Sequence, residues 1–269
     1  MATTTTSRTT AGACRCCGIV DLVDVEGTVA EVDRALRLAG EPERAVRSKA
    51  YLKSELTHYG VSVPDVRAIA TRVSTTHPVL GHDELLELVD ALWDGPVHDR
   101  RAVALELLVL RSDELRGSDM VILEGLLRAA RTWALVDTMA IDVVGSLVAR
   151  DLRASRRLDR WAVDADFWIR RSALLALLKP IRNGAGDFER FGSFADAMLD
   201  EKEFFIRKAI GWVLREAGRK RPAMVYGWIL PRAGRASGVT IREAVKPLSP
   251  EQRGEILRRY RGKGPPINS

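Results

Sequence analysis

The sequence predicts an all-α fold built from short stacked helices. From about Thr28 onward, apolar residues recur at the spacing of amphipathic helices, as in residues 97–110 and 123–148. We find no run of alternating apolar and polar residues that would indicate a β-strand. Turn-forming residues interrupt the helical pattern at short intervals, so about a dozen helices are expected. The interruptions fall at Gly60, Gly81, Gly95-Pro96, Gly117, Asn183-Gly184, Arg221-Pro222 and Pro247.

A short motif recurs in the second half of the chain. It reads Ile169-Arg170-Arg171-Ser172, then Ile206-Arg207-Lys208-Ala209, then Ile241-Arg242-Glu243-Ala244, at intervals of 37 and 35 residues. This period is typical of helix-pair repeats of the HEAT type. Each copy lies near the start of a predicted helix, so basic residues would line one face of a curved stack. The prediction is therefore a HEAT-like helical repeat solenoid with a concave basic face, which suits the binding of a polyanionic backbone.

The same motif has a second interpretation. Ile-Arg repeats can reflect a shared packing solution in which the arginines are merely solvated, and helical-repeat stacks bind proteins as well as nucleic acids. The overall charge favours a polyanionic partner: 42 Lys and Arg against 36 Asp and Glu give a net charge of +6 and a pI of about 9.5. The motif alone leaves both interpretations open.

Length and composition indicate one folded domain. The chain has 269 residues, of which 46% are hydrophobic, enough for a sizeable core. We assign residues 26–262 to a single domain, residues 1–25 to a disordered tail and residues 263–269 to a flexible C-terminus. The expected state is a monomer.

The first residues contain no feature that directs the chain to a membrane or to secretion. Met1 to Thr10 are polar and threonine-rich, without the apolar run of a signal peptide. No later segment reaches the ~18 apolar residues of a membrane span. We expect a cytoplasmic, nucleoid-associated protein that has no membrane contact.

All three cysteines, Cys14, Cys16 and Cys17, lie in the predicted tail. A closed zinc site needs about four ligands, and the four histidines lie far from the cysteines in sequence. We predict no metal site and no cofactor.

Candidate chemistry rests on tryptophans that lie close to charged residues. We find no zinc motif, phosphate-binding loop, nucleophile elbow or dinucleotide fingerprint. Trp133 and Asp137 are four residues apart and would share one face of a helix. Trp212, in another repeat, could complete an aromatic-walled pocket around one carboxylate, which would stabilise a cation. The alternative is that these tryptophans are core residues and that Asp137 is solvated or caps a helix.

Several stretches resemble the AlkD family of alkylpurine DNA glycosylases. The most characteristic is residues 203–216, EFFIRKAIGWVLRE. Further matches follow in the family's order and span about residues 45 to 246. They are Tyr51-Leu52-Lys53, Tyr59-Gly60-Val61, Leu92-Trp93-Asp94, Trp133 with Val136-Asp137, Trp168-Ile169-Arg170-Arg171 with Lys179, and Arg242-Glu243-Ala244.

The resemblance implies a helical-repeat enzyme that holds duplex DNA. By position, Asp137 resembles the catalytic carboxylate, and Trp133 and Trp212 resemble the aromatic residues that contact the deoxyribose of the lesion. Arg171 resembles a phosphate-binding arginine beside the site. The other basic or polar positions in the matching stretches are expected to contact DNA. They are Tyr51, Lys53, Lys179, Lys208, Arg215 and Arg242.

The implied activity is hydrolysis of the N-glycosidic bond of cationic N3- and N7-alkylated purines in double-stranded DNA. The family is implied to act without drawing the base into a deep pocket. Two departures bear on activity and affinity: Ala134 stands where the family commonly has an acidic residue, and Ser62-Val63 replace more polar residues. Two other functions stay open, a non-catalytic helical-repeat protein that recognises damaged duplex and a helical scaffold for a protein partner.

Overall fold

A computed structural model describes residues 23–78 and 80–262. Cys14, Cys16 and Cys17 therefore lie outside the described residues, as do most of the predicted tail and all of the predicted flexible C-terminus. The described part is all-α, as predicted. It contains no named strand, only one isolated bridge between Thr57 and Val97.

Sixteen α-helices are present in the described part of the chain. They are α1 (Val25–Ala39), α2 (Pro42–Leu52), α3 (Val63–Thr76), α4 (His82–Trp93), α5 (His98–Leu110), α6 (Met120–Ala130), α7 (Trp133–Thr138), α8 (Gly145–Arg150), α9 (Leu152–Trp161), α10 (Phe167–Leu175), α11 (Leu178–Arg182), α12 (Phe188–Ala197), α13 (Phe204–Gly218), α14 (Pro222–Ile229), α15 (Gly238–Ala244) and α16 (Pro250–Arg261). Two 3₁₀ turns, Ser112–Glu114 and Gly117–Asp119, connect α5 to α6.

This count exceeds the dozen helices expected from glycine and proline positions. One reason is that a π-helical segment, Met139–Val144, joins α7 to α8 without a turn residue to mark it. Another is the break at Ala176 and Leu177 between α10 and α11, which also has no glycine or proline. Such breaks arise from packing, and single-sequence signals do not report them.

Local sequence explains where most helices begin. A side-chain oxygen at the N-cap accepts a backbone N–H of the first turn in half of the helices, and four helices have proline in their first turn. The capping residues are Asp24, Ser62, Asp151, Asp166, Asp187, Glu203, Ser237 and Ser249. The helices with an early proline are α2, α3, α14 and α16.

The helices stack as a solenoid in which successive repeats contact each other. Along one layer, α7 packs on α10, α10 on α13 and α13 on α15. The motif isoleucines Ile169, Ile206 and Ile241 are all buried between these layers. Burying such a side chain contributes about 1.5–3 kcal/mol, so the repeated isoleucine is a stacking determinant.

Polar contacts between neighbouring repeats recur at similar sequence offsets, between 31 and 36 residues. Arg128 pairs with Asp164, 36 residues on; Arg190 pairs with Asp159, 31 residues earlier; and Arg232 pairs with Asp196, 36 residues earlier. Partly exposed pairs of this kind are worth ~0–1 kcal/mol each. They fix the register of adjacent repeats, while the apolar core supplies most of the stability.

The motif arginines divide between two tasks. Arg170 binds the Glu201 carboxylate, with Nε and Nη2 donors at 2.9 and 2.7 Å, and Arg207 Nε donates to the Glu201 carbonyl at 2.6 Å. Arg170 therefore joins two repeats, and Arg207 binds the segment just before its own helix. The next residue in each copy, Arg171 or Lys208, is the one that lines a cavity.

The π-helical segment begins two residues after Asp137, at Met139. A π turn widens a helix locally and often marks a functional site. Gly145, at the end of this segment, permits close packing: a Cβ there would lie 2.8 Å from the Ala176 carbonyl oxygen. The helix carrying Asp137 is thereby held tightly against the repeat that carries Arg171.

Residues 53–62 form a connection that is clamped onto the start of α5. The buried Asp99 accepts the backbone N–H groups of Tyr59 at 2.8 Å and Val61 at 2.9 Å. His58 and His98 stack beside it, with ring centroids 4.4 Å apart.

No helix in the described residues is long and apolar enough to span a bilayer.

The stacked histidines predict a loss of stability in weak acid. Burial, and then the neighbouring His58 charge, lower the pKa of His98 from 6.5 to about 4. Because the unfolded chain binds this proton more readily, stability is fully present above pH 6.5 and is lost as the pH falls toward 4. We expect the free energy of unfolding in urea to fall between pH 6.5 and 5.

The matched variant is His98→Phe, which retains the stacking ring and removes the titrating group. His98 Nε2 is buried without a hydrogen-bond partner, so the change breaks no bond at that atom. The pH dependence between 6.5 and 5 should flatten in this variant. Equal slopes for both proteins would contradict the role assigned to His98.

Candidate active site

Helix α7 places Trp133 and Asp137 on one face. Thr132 is its N-cap in an extended conformation, so α7 starts at Trp133 and the four-residue spacing brings both side chains together. Trp133 is half-buried, and Asp137 is 8% exposed. The interpretation of Asp137 as a solvated surface residue is therefore wrong.

The Asp137 carboxylate is held by a buried, bidentate ion pair. Arg171 on α10 donates from Nε to Oδ1 at 2.7 Å and from Nη2 to Oδ2 at 2.7 Å. Its Nη1 donates to the carbonyl oxygen of Phe205 on α13. One guanidinium thus ties three consecutive repeats together and orients the carboxylate.

This geometry bears on the phosphate-binding role that we predict for Arg171. Three of its five N–H groups are used within the protein, and the side chain is only 3% exposed. Arg171 also lines a cavity. Phosphate contact by Arg171 stays a prediction, whereas its hold on Asp137 is observed.

A cavity of about 530 Å³ opens beside this pair. Its walls contain most of the predicted site residues. An adjoining cavity of about 400 Å³ is also lined by Trp133, Asp137 and Trp212, together with Asp142, Lys179 and Arg182. The lining of the larger cavity is Tyr51, Trp133, Asp137, Arg171, Phe204, Phe205, Lys208, Trp212 and Arg215.

Aromatic side chains form most of the cavity walls. Tyr51, which is 73% exposed, contacts Trp133 edge to face, with ring centroids 5.6 Å apart. Phe204 and Phe205 complete the opposite wall. Sequence reasoning missed the two phenylalanines as site residues, although they lie in the most characteristic matching stretch. Their position at the start of α13, beside the repeat motif, was the available signal.

Two cations of the cavity, Lys208 and Arg215, bind the same carboxylate. Glu243 on α15 accepts Lys208 Nζ at 2.7 Å, Lys246 Nζ at 3.0 Å and the Arg215 guanidinium. Burial raises the pKa of Glu243, but the Lys208, Lys246 and Arg215 cations outweigh that effect and hold it at about 2. Gly211 permits this contact, because a Cβ there would lie 2.9 Å from the Glu243 Cβ.

The other predicted DNA-contacting residues lie at or beyond the edge of the cavities. Lys179 pairs with Asp142 at 2.8 Å in the adjoining cavity. Lys53 is exposed at the end of α2, and Arg242 is exposed on α15; neither lines these cavities. Their DNA contacts stay predictions.

One cluster of candidate metal ligands lies elsewhere, at His58, His98 and Asp99, with ligand atoms within 4.8 Å of one another. Both Asp99 oxygens accept backbone N–H groups. The two rings are nearly parallel, at 15°, so a single ion cannot lie in the planes of both. The cluster suits a packing role and does not fit a metal site.

Comparison with known proteins agrees with the fold and shows a family. Residues 32–248 match the family model described as DNA alkylation repair enzyme. The chain belongs to this family. The match includes every residue of both cavities. No protein with a curated description matches the chain.

A solved structure, described as a predicted DNA alkylation repair enzyme from Enterococcus faecalis, is similar with a TM-score of 0.69. It is 23% identical in sequence, and the alignment covers 78% of this chain and 97% of that chain. This similarity independently supports the all-α solenoid-like fold.

Arg171→Ala should destabilise the protein strongly. The substitution leaves the buried Asp137 carboxylate without its partner, and breaking a buried pair in this way typically costs ~3–5 kcal/mol. Urea unfolding of the variant measures the loss. Because Asp137→Asn removes the other member of the same pair, the double variant should lose less than the sum of the two single losses. Additive losses would show that the pair is not coupled.

Proposed function

We propose that this member of the DNA alkylation repair enzyme family is a glycosylase that releases cationic N3- and N7-alkylated purines from duplex DNA. The observation that carries the proposal is the convergence of Trp133, Asp137 and Trp212 on one cavity flanked by cations. This combination suits a substrate with an anionic backbone and a sugar that becomes positive during reaction.

The charge of the lesion decides what the protein must supply. An N3- or N7-alkylated purine already carries a positive charge, so the C1′–N bond can break with its electron pair leaving on a neutral base. The deoxyribose then becomes an oxocarbenium-like centre, and water adds its oxygen to C1′ and releases a proton. The protein must stabilise the sugar cation and position the water.

Asp137 can perform both tasks while it stays paired. A carboxylate has about four lone-pair sites, and Arg171 uses one on each oxygen. The remaining lone pairs can accept from a water and face the sugar. The Arg171 charge offsets part of the Asp137 charge, so the aromatic faces of Trp133 and Trp212 add attraction of about 0.5–2 kcal/mol each.

The flanking cations suit the DNA backbone. Lys208 and Arg215 line the larger cavity, and Lys179 lines the adjoining one. Each of these cations is paired with a carboxylate of the protein and keeps further N–H donors for phosphate oxygens. Such phosphate contacts position a duplex without reading its sequence. A phosphate bound by these cations also adds negative charge near the sugar that becomes positive.

A second candidate function is a non-catalytic protein that binds damaged duplex. The observation that favours it is that both Asp137 oxygens are already engaged by Arg171. In that case the cavity would bind the lesion without hydrolysing it. Release of free base is the property that separates the two functions.

The decisive experiment is incubation of the purified protein with duplex DNA containing N7-methylguanine, with mass spectrometry of released bases. Asp137→Asn should lower single-turnover release by about 10²–10³-fold, because it removes the charge that stabilises the sugar cation. Duplex affinity should change little.

The matched control is Asp159→Asn, which alters an exposed carboxylate paired with Arg190 away from both cavities. It should release base at the wild-type rate. Wild-type release by Asp137→Asn would remove Asp137 from the mechanism. No release by the wild-type protein, together with tight binding to damaged duplex, would favour the second function.

Lesion charge should control the rate. Among the described residues, none that lines the larger cavity is a histidine, and an ionised Asp137 accepts protons without donating them. Neutral lesions such as ethenoadenine and hypoxanthine need protonation to leave, so their release should be far slower than that of N7-methylguanine or N3-alkyladenine. Single-turnover rates on otherwise identical duplexes provide the measurement. Similar rates for charged and neutral bases would require a general acid and contradict the mechanism.

A further inference from the structure

Two residues adopt a left-handed backbone conformation where glycine is usual. Lys53 has φ 49° and Arg131 has φ 51°, and in residues 23–78 and 80–262 they are the two non-glycine residues with positive φ. Each is a helix C-cap, Lys53 after α2 and Arg131 after α6. Glycine adopts this conformation without strain, whereas other residues rarely do. Both strained positions carry a cation.

The two positions are related to the candidate site in the same way. Lys53 follows Tyr51 by two residues, and Arg131 precedes Trp133 by two residues. Tyr51 and Trp133 are the aromatic pair in edge-to-face contact at the cavity wall. Strained backbone concentrates at functional sites, so its presence on both sides of this pair indicates a binding role.

Arg131 is presented to solvent with a loosely bound counter-charge. Its side chain is 71% exposed, and its ion pair is with Glu55, at 3.8 Å, whose side chain is 84% exposed. An exposed pair at that distance contributes little. Glu55 therefore leaves Arg131 able to bind another anion.

A second cation lies behind Arg131. Arg101 donates to three carbonyl oxygens, those of Trp93, Ala129 and Gly95, and makes no ion pair within the described part of the chain. Burial, and then the nearby Arg131 charge, lower the pKa of Arg101. The Asp94 carboxylate raises that pKa, so it offsets part of the repulsion between the two guanidinium groups, and a bound anion would offset more of it.

We infer that Arg131, with Arg101 behind it, binds a backbone phosphate of the duplex next to the Tyr51–Trp133 wall, and that Glu55 competes with this phosphate in the free protein. The inference rests on the proposed DNA-binding function and adds a contact that the family resemblance does not assign. A phosphodiester suits this site because guanidinium groups bind phosphate oxygens in a bidentate manner.

The test uses Arg131→Gly, which separates binding from folding. Glycine accepts the left-handed conformation, so the melting temperature should be unchanged or higher. Loss of the cation should weaken binding to undamaged duplex by about threefold or more and make the salt slope shallower by about 0.9. Arg131→Lys should retain the wild-type slope.

Two further variants serve as controls, one expected to leave duplex binding unchanged and one expected to tighten it. Arg156→Ala removes an exposed arginine of α9 that lines neither cavity, and it should leave affinity and salt slope unchanged. Glu55→Gln removes the competing carboxylate and should tighten duplex binding. Inorganic phosphate at millimolar concentration and constant ionic strength should not displace DNA, because it lacks the neighbouring contacts of a strand.

Each outcome bears on the inference separately from the proposed function. An unchanged salt slope in Arg131→Gly would overturn the inference even if N7-methylguanine is released normally. A shallower slope in a protein that releases no base would support the inference while the glycosylase function fails. A lower melting temperature with unchanged binding would make Arg131 structural, and displacement of DNA by inorganic phosphate would make free phosphate the ligand.

Discussion

The buried pair between Asp137 and Arg171 is the interaction on which the rest of the site depends. In a stack of repeats, a residue faces its counterpart about one repeat away, and this pair spans 34 residues, within the range of the exposed ion pairs between repeats. It differs from them in being buried and bidentate. Because Arg171 also binds the Phe205 carbonyl, the carboxylate direction depends on the register of α7, α10 and α13. Displacing one of these repeats relative to its neighbours would therefore lower the stability of the protein and also misplace the Asp137 carboxylate.

The same stacking rule distributes charge across the site. Lys208 faces Glu243 across an offset of 35 residues, so this cation of the larger cavity is held by the next repeat. The pKa of Glu243, about 2, keeps that carboxylate ionised at any pH at which DNA repair is relevant. Two ion pairs with similar offsets thus have different tasks. Asp137 with Arg171 presents a carboxylate, and Glu243 with Lys208 presents a cation.

The fold and the core of the site were accessible from the sequence because both follow from local spacing. The four-residue interval between Trp133 and Asp137 places them on one helical face, and the Ile-Arg motif with its period near 35 residues predicts stacked repeats. Three features were not accessible. The π segment after Asp137 has no composition signal, the partner of Arg171 depends on repeat register, and the left-handed conformation of Arg131 occurs at a residue type that seldom adopts it. Each arises from tertiary packing.

Ala134 leaves one negative side chain fewer near the candidate site to balance the positive charges. Ala134, where the resembling family commonly has an acid, lines the adjoining cavity. Among the described residues, Asp137 is the one carboxylate that lines the larger cavity, and Arg171 already offsets part of its charge. The cations that line the same cavity would oppose a sugar cation if they were left bare. In the proposed reaction, bound phosphates neutralise those cations, so the duplex backbone itself becomes part of the electrostatic environment. A short substrate that lacks these phosphates would then lose rate as well as affinity, because binding contacts and sugar stabilisation use the same charges.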